Sequence, residues 1–152
     1  NPLILKIMIL PQIKITATIT GKANRIRLTK PREIYEAVLE NWEPDTLDLY
    51  ESFYIVCLAR NLSVNGMYKI SEGGSYGTVV DISKIMLAMI NSLSCSVILL
   101  HNHPSGNLNP SSQDLEITKK IAQAGQLLGY SVLDHLIVTS DGFYSFSDEG
   151  QL

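Results

Sequence analysis

Two short runs of almost uninterrupted apolar residues limit the folds that this chain can adopt. Ser52–Ala59 reads Ser-Phe-Tyr-Ile-Val-Cys-Leu-Ala, and Ser96–Leu100 reads Ser-Val-Ile-Leu-Leu. A strand with one solvent-facing side alternates apolar and polar residues, whereas a strand covered on both faces is apolar almost throughout. Both runs therefore predict buried strands at the centre of a sheet that other elements cover on its two faces.

Segments with helical spacing separate these strands. Thr29 is predicted to cap a first helix that has Pro31 in its first turn. Asp81 is predicted to cap a second helix, and Ser111 opens a third. The apolar stripes are Ile34, Ala37, Val38 and Trp42 in the first helix, Ile82, Ile85, Met86, Met89, Ile90 and Leu93 in the second, and Leu115, Thr118, Ile121, Ala122 and Leu128 in the third. Each helix can thus pack one apolar face against the sheet.

Further strands are predicted on either side of this core. Ile13–Thr20 alternates apolar and polar residues with the period of a half-buried strand. Asn65-Gly66 favours a type I′ hairpin turn that leads into another strand. Val132–Thr139 and Phe143–Phe146 complete the set. Because helices separate strands that are partly joined by hairpins, we expect an α/β fold in which helices sandwich a mixed β-sheet.

Length, composition and charge limit the domain organisation and the partners. The 152 residues are 45% hydrophobic, which is enough to bury the core of one ordinary globular domain. The formal net charge is −3 and the pI about 5.5, whereas proteins that bind DNA phosphates normally present a basic face. The densest basic segment, Lys22–Arg32, is better interpreted as a solvated surface. The sequence gives no evidence of direct nucleic-acid binding.

Neither the cysteines nor the N-terminal segment indicates secretion or a membrane. Cys57 and Cys95 lie in or beside apolar runs and form no CxxC pair, so we expect both to be reduced and buried in a cytoplasmic protein. Pro2–Ile13 is apolar, but Lys6 and Pro11 interrupt it, and it is shorter than the ~18 residues of a membrane span. We expect it to form strands, which could pair with a second copy at a sheet edge and give a homodimer.

Two histidines and an aspartate follow the second buried strand. In extended chain, side chains two residues apart point the same way, so His101 and His103 can face one point. Asp114 lies in the first turn of the next helix. Two imidazoles and a carboxylate suit zinc, and three protein ligands leave a fourth position for water, as in catalytic sites. The pattern predicts one zinc ion per chain.

Simpler interpretations remain for these residues. A pair of surface histidines arises easily in a loop, and Ser111-x-x-Asp114 also has the form of a capping box, in which both side chains serve the helix end. Capping and metal binding would compete for the oxygens of Asp114. Asp134 and His135 could orient a metal ligand or only hydrogen-bond inside the sheet, and the second interpretation is favoured.

The residues of this motif and of two later segments resemble those of a known family. His101-Asn-His-Pro-Ser-Gly-Asn-Leu-Asn-Pro-Ser-Ser-Gln-Asp114 fits the JAMM pattern of H-x-H, seven residues, S, two residues and D. Together with the later segments LLGYSVLDHLIV and YSFSDEG, this motif makes the chain resemble the RadC branch of the JAB/MPN/JAMM superfamily. The similarity runs from about Thr29 to the C-terminus. It therefore divides the chain into an N-terminal β-strand extension, residues 1–28, and a RadC-like domain, residues 29–152.

The resemblance implies a fold, an activity and a role for each matched residue. The fold would be the three-layer architecture of JAB/MPN domains, which is similar to that of cytidine deaminases. His101, His103 and Asp114 would ligate zinc, Ser111 would stabilise an oxyanion, and Glu51 would be the general base. The activity would be that of a zinc metallopeptidase or isopeptidase that cleaves an amide bond in a peptide or protein. Spacing alone leaves Asp48, Glu72 and Asp134 open as alternatives to Glu51.

Two other functions compete with hydrolysis. RadC-like proteins carry a traditional DNA-repair label, so the chain could be a DNA-associated factor, although its acidic balance argues against this. It could also be a binding module that keeps the fold without turnover. The complete set of candidate ligands, together with Glu51 and Ser111, favours the enzyme.

Overall fold

A computed structural model of the protein describes residues 9–16, 18–19, 25–73 and 79–152. These residues form a sheet of five strands, in the order β2-β1-β3-β4-β5, and three helices. In chain order the elements are α1 (Pro31–Asn41), β1 (Ser52–Leu58), β2 (Val64–Glu72), α2 (Ile82–Asn91), β3 (Ser96–Asn102), α3 (Ser112–Leu127), β4 (Ser131–Val138) and β5 (Phe143–Ser145). β3 and β4 run parallel and the other neighbours antiparallel. The predicted α/β fold with a mixed sheet is confirmed.

Helices cover both faces of the sheet. Because successive side chains of a strand point to opposite faces, β1 contributes to two separate apolar clusters. On one face Tyr54 and Val56 pack with α1 residues such as Val38, and on the other Ile55 packs with Ile85 of α2 and with α3. All seven residues of β1 and all seven of β3 are buried. The two apolar runs in the sequence are thus two of the three interior strands of a three-layer fold.

The N-terminal strand prediction is wrong for the residues that can be described. Residues 9–16 and 18–19 form neither helix nor strand, and Ile13 and Ile15 are 92% and 70% exposed. The remaining residues of Ile13–Thr20, and most of Pro2–Ile13, lie outside the described part of the chain. An alternating pattern reflects only which side chains can be buried. A strand also needs a neighbouring strand that hydrogen-bonds its backbone N–H and C=O groups.

Asn65-Gly66 does not form the predicted hairpin turn. Both residues lie inside β2, where Gly66 pairs with Cys57 of β1. The connection between the strands is made earlier, at residues 59–63, where Leu62 has a φ of 64°. The Asn65 amide donates to the Ser92 carbonyl and to Ser94 Oγ. These tertiary contacts favour a strand over the local turn preference.

The helix starts agree with the sequence except at α1. Asp81 caps α2 by accepting hydrogen bonds from the backbone N–H groups of residues 83 and 84, as predicted. Thr29 is not the cap of α1, because that position belongs to Lys30. Pro31 is the first helical residue, and a residue before proline is held extended, so the cap falls directly before it. Thr29 instead donates to the Glu33 carboxylate.

The thiols agree in part with expectation. Cys57 and Cys95 are both free. Cys57 is buried and burial raises the pKa of its thiol, whereas Cys95 is only half-buried. None of the helices in the described part of the chain combines the length and the apolar composition that a membrane span requires.

Candidate metal centre

The C-terminal end of β3 and the N-terminus of α3 bring the three predicted ligands together. β3 continues two residues beyond the predicted end at Leu100, so His101 lies within the strand and is 3% exposed. His103 follows directly, and its N–H donates to the Val138 carbonyl at the end of β4. Ser111 then caps α3 and places Asp114 in its first turn.

The three donor atoms have the spacing of a metal site. His101 Nε2 lies 2.9 Å from His103 Nε2 and 3.1 Å from Asp114 Oδ1. His103 Nε2 lies 3.6 Å from Asp114 Oδ2. Ligand atoms about 2.0–2.2 Å from a tetrahedral zinc ion are separated by ~3.3–3.6 Å. The His103–Asp114 distance lies in this range, and the two distances from His101 are a few tenths of an ångström shorter. The set of two imidazole nitrogens and a carboxylate could therefore hold a metal ion, and its chemistry suits zinc.

The charges at this point favour a cation. Burial alone would raise the pKa of Asp114, but hydrogen bonds from His101, His103 and Ser111 outweigh it and hold that pKa well below its usual range. The hydrogen bond to Asp114 raises the pKa of His103, against the opposing effect of burial. Asp114 is thus an ionised carboxylate that stabilises positive charge beside the imidazoles.

His103 is held in the tautomer that a metal ligand needs. Its Nδ1 donates to the backbone carbonyl of Asn107 at 2.5 Å. A carbonyl oxygen can only accept, so Nδ1 carries the proton and Nε2 of the neutral ring carries a lone pair. The turn after β3 therefore directs the free nitrogen of His103 towards His101 and Asp114.

Asp114 serves the helix and the site at the same time. Its Oδ2 accepts from the backbone N–H and from the hydroxyl of Ser111, both at 2.7 Å, while Ser111 Oγ accepts from the Asp114 N–H. Its Oδ1 faces His101. The sequence presents capping and metal binding as competitors, but Oδ1 is left free to face His101, and Oδ2 accepts both capping bonds while lying 3.6 Å from His103 Nε2.

Glu51 and Ser111 line the same cavity as the three ligands. The cavity has a volume of about 820 Å³. Extending the β1–β3 register by two residues from the Phe53–His101 pair places Glu51 beside His103. The other carboxylates that the sequence left open do not line this cavity: Glu72 pairs with Lys69, Asp134 is buried against Ser145, and Asp48 is exposed.

Asn102 is a site-building residue that the sequence interpretation missed. Its side chain points away from the two histidines and is fully buried. Nδ2 donates to the carbonyls of Leu47 and Tyr50, and Oδ1 accepts from the Ser52 N–H at 2.7 Å. These bonds hold the backbone on both sides of Glu51. The available signal was the position of a polar amide in a buried strand, since such a group must find partners.

Replacing Asn102 with alanine is expected to lower the free energy of unfolding by about 2–4 kcal/mol, because two carbonyls and one N–H lose buried partners. Urea denaturation measures this loss. The matched control is Asn41→Ala, because the Asn41 amide donates to the Ala37 carbonyl at the exposed surface of α1 and its removal should change stability by less than about 1 kcal/mol. Equal effects of the two variants would contradict the role given to Asn102.

The side chains of Asp134 and His135 contact different parts of the molecule, although the two residues are neighbours in β4. The Asp134 carboxylate accepts from Ser145 Oγ, from the Ser147 N–H and from the His135 N–H. Burial raises the pKa of this carboxyl, although these bonds oppose the increase. Asp134 therefore joins β4 to β5 and to the residues that follow β5. The His135 ring instead lies 2.8 Å from His101 Nδ1, with a second contact to Thr118 of α3.

Comparison with known proteins finds a matching family model and several relatives. A family model described as "RadC-like JAB domain" matches residues 28–151. A protein of Flavobacterium johnsoniae named "UPF0758 protein" is 44% identical over 101 residues, which cover 66% of this chain and 44% of the relative. A protein of the same name from Porphyromonas gingivalis is 36% identical over 130 residues, or 84% of this chain and 56% of the relative. The chain thus spans about half the length of these curated relatives.

Proposed function

This chain belongs to the RadC-like JAB domain family, and we propose that it is a zinc-dependent hydrolase that cleaves an amide bond in a peptide or protein. The observation that carries the proposal is the convergence of His101 Nε2, His103 Nε2 and the Asp114 carboxylate at 2.9–3.6 Å beside Glu51 in one open cavity. A carboxylate beside an open three-ligand site is the arrangement that metal-assisted hydrolysis requires.

The three ligands would hold zinc at the mouth of the β3–α3 connection. Bound there, zinc would supply Lewis acidity, which polarises a carbonyl oxygen and lowers the pKa of water toward ~7. The bond from His103 Nδ1 to the Asn107 carbonyl and the ionised state of Asp114 support this assignment, because they leave Nε2 and the carboxylate oxygens as the atoms that face the metal position.

Glu51 is the proposed general base and acid. Its carboxylate accepts a proton from the attacking water as the new C–O bond forms, and it then donates that proton to the departing amine nitrogen as the C–N bond breaks. The position of Glu51 beside His103 supports this role, because the proton acceptor must lie within hydrogen-bond reach of the water. Asn102 would keep Glu51 in that position through its bonds to the flanking backbone.

Ser111 is the proposed donor to the developing oxyanion. Its hydroxyl now donates to Asp114 Oδ2, while its oxygen accepts from the Asp114 N–H at 3.2 Å. Rotation of the hydroxyl hydrogen would free the donor for a substrate oxygen without breaking the helix cap. Such a donor acts mainly in the transition state, where the charge on the oxygen develops.

The proposal is tested by elemental analysis followed by a hydrolysis assay. We expect about one zinc ion per chain after zinc is offered and the excess removed. The zinc-loaded protein should release new amines from a panel of peptide and isopeptide-linked substrates, and the metal-free protein should not. A protein that takes up no zinc contradicts the proposal. One that binds zinc but cleaves no member of the panel favours a binding module.

A further inference from the structure

A chain of buried hydrogen bonds runs from the metal centre into the core of the molecule. His101 Nδ1 lies 2.8 Å from His135 Nε2, and His135 Nδ1 lies 2.5 Å from Thr118 Oγ1. Thr118 Oγ1 in turn lies 2.5 Å from the Asp114 carbonyl. His135 and Thr118 are 0% and 2% exposed, so no solvent competes for these contacts.

The last member of the chain determines the direction of every bond before it. The Asp114 carbonyl can only accept, so Thr118 donates its single hydroxyl hydrogen to it. Thr118 Oγ1 must then accept from His135, which places the His135 proton on Nδ1. Because burial favours an uncharged ring, His135 Nε2 is left as an acceptor. His135 Nε2 therefore accepts a hydrogen bond, and the donor is the N–H group at His101 Nδ1.

We propose that His135 and Thr118 are positioning residues that hold His101 in its Nδ1–H tautomer, with the Nε2 lone pair directed to the metal. The inference rests on the proposed metal site and adds to it two residues that touch no metal themselves. His101 and His103 then become equivalent: each donates from Nδ1 to a fixed acceptor and offers Nε2. For His103 the acceptor is a backbone carbonyl in a loop, and for His101 it is a buried ring.

Packing around His135 keeps the acceptor in place. Its ring stacks on Phe146 with a centroid distance of 4.7 Å and an interplanar angle of 19°. Phe53 contacts it edge-on at 5.5 Å. Phe53 also stacks on His101, with 6.1 Å between ring centroids. These aromatic contacts restrict both imidazoles, so a ring flip that reverses the hydrogen-bond chain would disturb the core.

The experiment compares zinc affinities by chelator competition in four variants of the whole chain. His135→Phe keeps an aromatic ring but removes the acceptor, and it should weaken zinc binding about 10–100-fold. His135→Gln offers an amide oxygen near the position of Nε2 and should restore affinity to within ~3-fold of wild type. Thr118→Val should weaken binding by a smaller factor, of about 3–10-fold, and Thr118→Ser should not. Circular dichroism of the metal-free proteins checks their folding.

Imidazole ¹⁵N chemical shifts of zinc-loaded wild-type protein test the same inference without any substitution. We expect Nδ1–H signals from both His101 and His135. A proton on His135 Nε2 overturns the inference, as does wild-type zinc affinity in a folded His135→Phe protein. If that variant does not fold, the chemical shifts and the Thr118 pair decide. If wild-type protein does not bind zinc, the proposed metal site is wrong. If it binds zinc but the His135 proton lies on Nε2, only the positioning role of His135 is wrong.

Discussion

Replacing Glu51 with glutamine is expected to lower kcat about 10²–10⁴-fold on any amide substrate that the zinc-loaded protein cleaves. Glutamine has nearly the same shape but cannot accept and return a proton at neutral pH. Zinc content should stay at about one ion per chain, because Glu51 is not among the three converging ligands. The measurement is steady-state kinetics at matched zinc occupancy, determined by elemental analysis of the same samples.

Asp48→Asn is the matched control for this substitution. It makes the same change from carboxylate to amide three residues earlier, at an exposed position that does not line the cavity. Its kcat should stay within ~2-fold of wild type, since surface substitutions away from a site have small effects. Turnover by Glu51→Gln at the wild-type rate would show that another group moves the proton. An equal loss in both variants would indicate a general electrostatic effect instead.

Replacing His103 with alanine is expected to weaken zinc binding by about 100-fold or more. Structural zinc sites with four ligands bind with ~10–16 kcal/mol, or roughly 3 kcal/mol for each ligand, and every 1.4 kcal/mol is about tenfold in affinity. The fold itself should persist, because His103 lies after β3 and contributes to neither apolar cluster. Elemental analysis after desalting and chelator competition measure the loss, and thermal unfolding of the metal-free protein checks stability.

Asn109→Ala serves as the control for the loop that carries His103. Asn109 lines the same cavity, but an alanine there leaves all three ligands and the Asn107 carbonyl unchanged. Its zinc affinity should stay within ~3-fold of wild type, because no ligand or ligand partner is removed. If His103→Ala binds zinc as tightly as this control, the metal lies elsewhere and the assignment of His101, His103 and Asp114 is wrong.

The two oxygens of Asp114 explain how one short motif can serve two purposes. Ser111 and Asp114 form a capping box, which satisfies N–H groups at the start of α3. The same box fixes the rotamer of Asp114 so that Oδ1 faces His101. The stability of the helix end and the geometry of the site are therefore coupled, and Ser111 contributes to both through a single hydroxyl.

Only part of the site could be read from residue spacing. The period of the strand placed His101 and His103 on one face, and the helix start placed Asp114 after them, which suggested a zinc site but left the capping interpretation of Asp114 open. The resemblance to RadC-like proteins, rather than spacing, selected Glu51. The tertiary structure separates Glu51 from Glu72 and Asp134, because those two carboxylates lie in other contacts. Spacing did not identify Asn102 or Thr118 as site residues. The partners of Asn102 are backbone groups about 50 residues away, and Thr118 contacts the Asp114 carbonyl and the distant His135.

The sequence by itself determined the class of fold, the two fully buried strands β1 and β3, the capped starts of α2 and α3, and the convergence of two imidazoles with one carboxylate. These features depend on the local backbone period, on burial and on caps, which neighbouring residues encode. The tertiary structure alone decided that Asn65-Gly66 lies in a strand and that Asn102 holds the segment around Glu51. It alone also brought His135 to His101 across 34 positions of sequence. The physical reason is that a buried polar group takes its partner from whatever the packed elements place beside it.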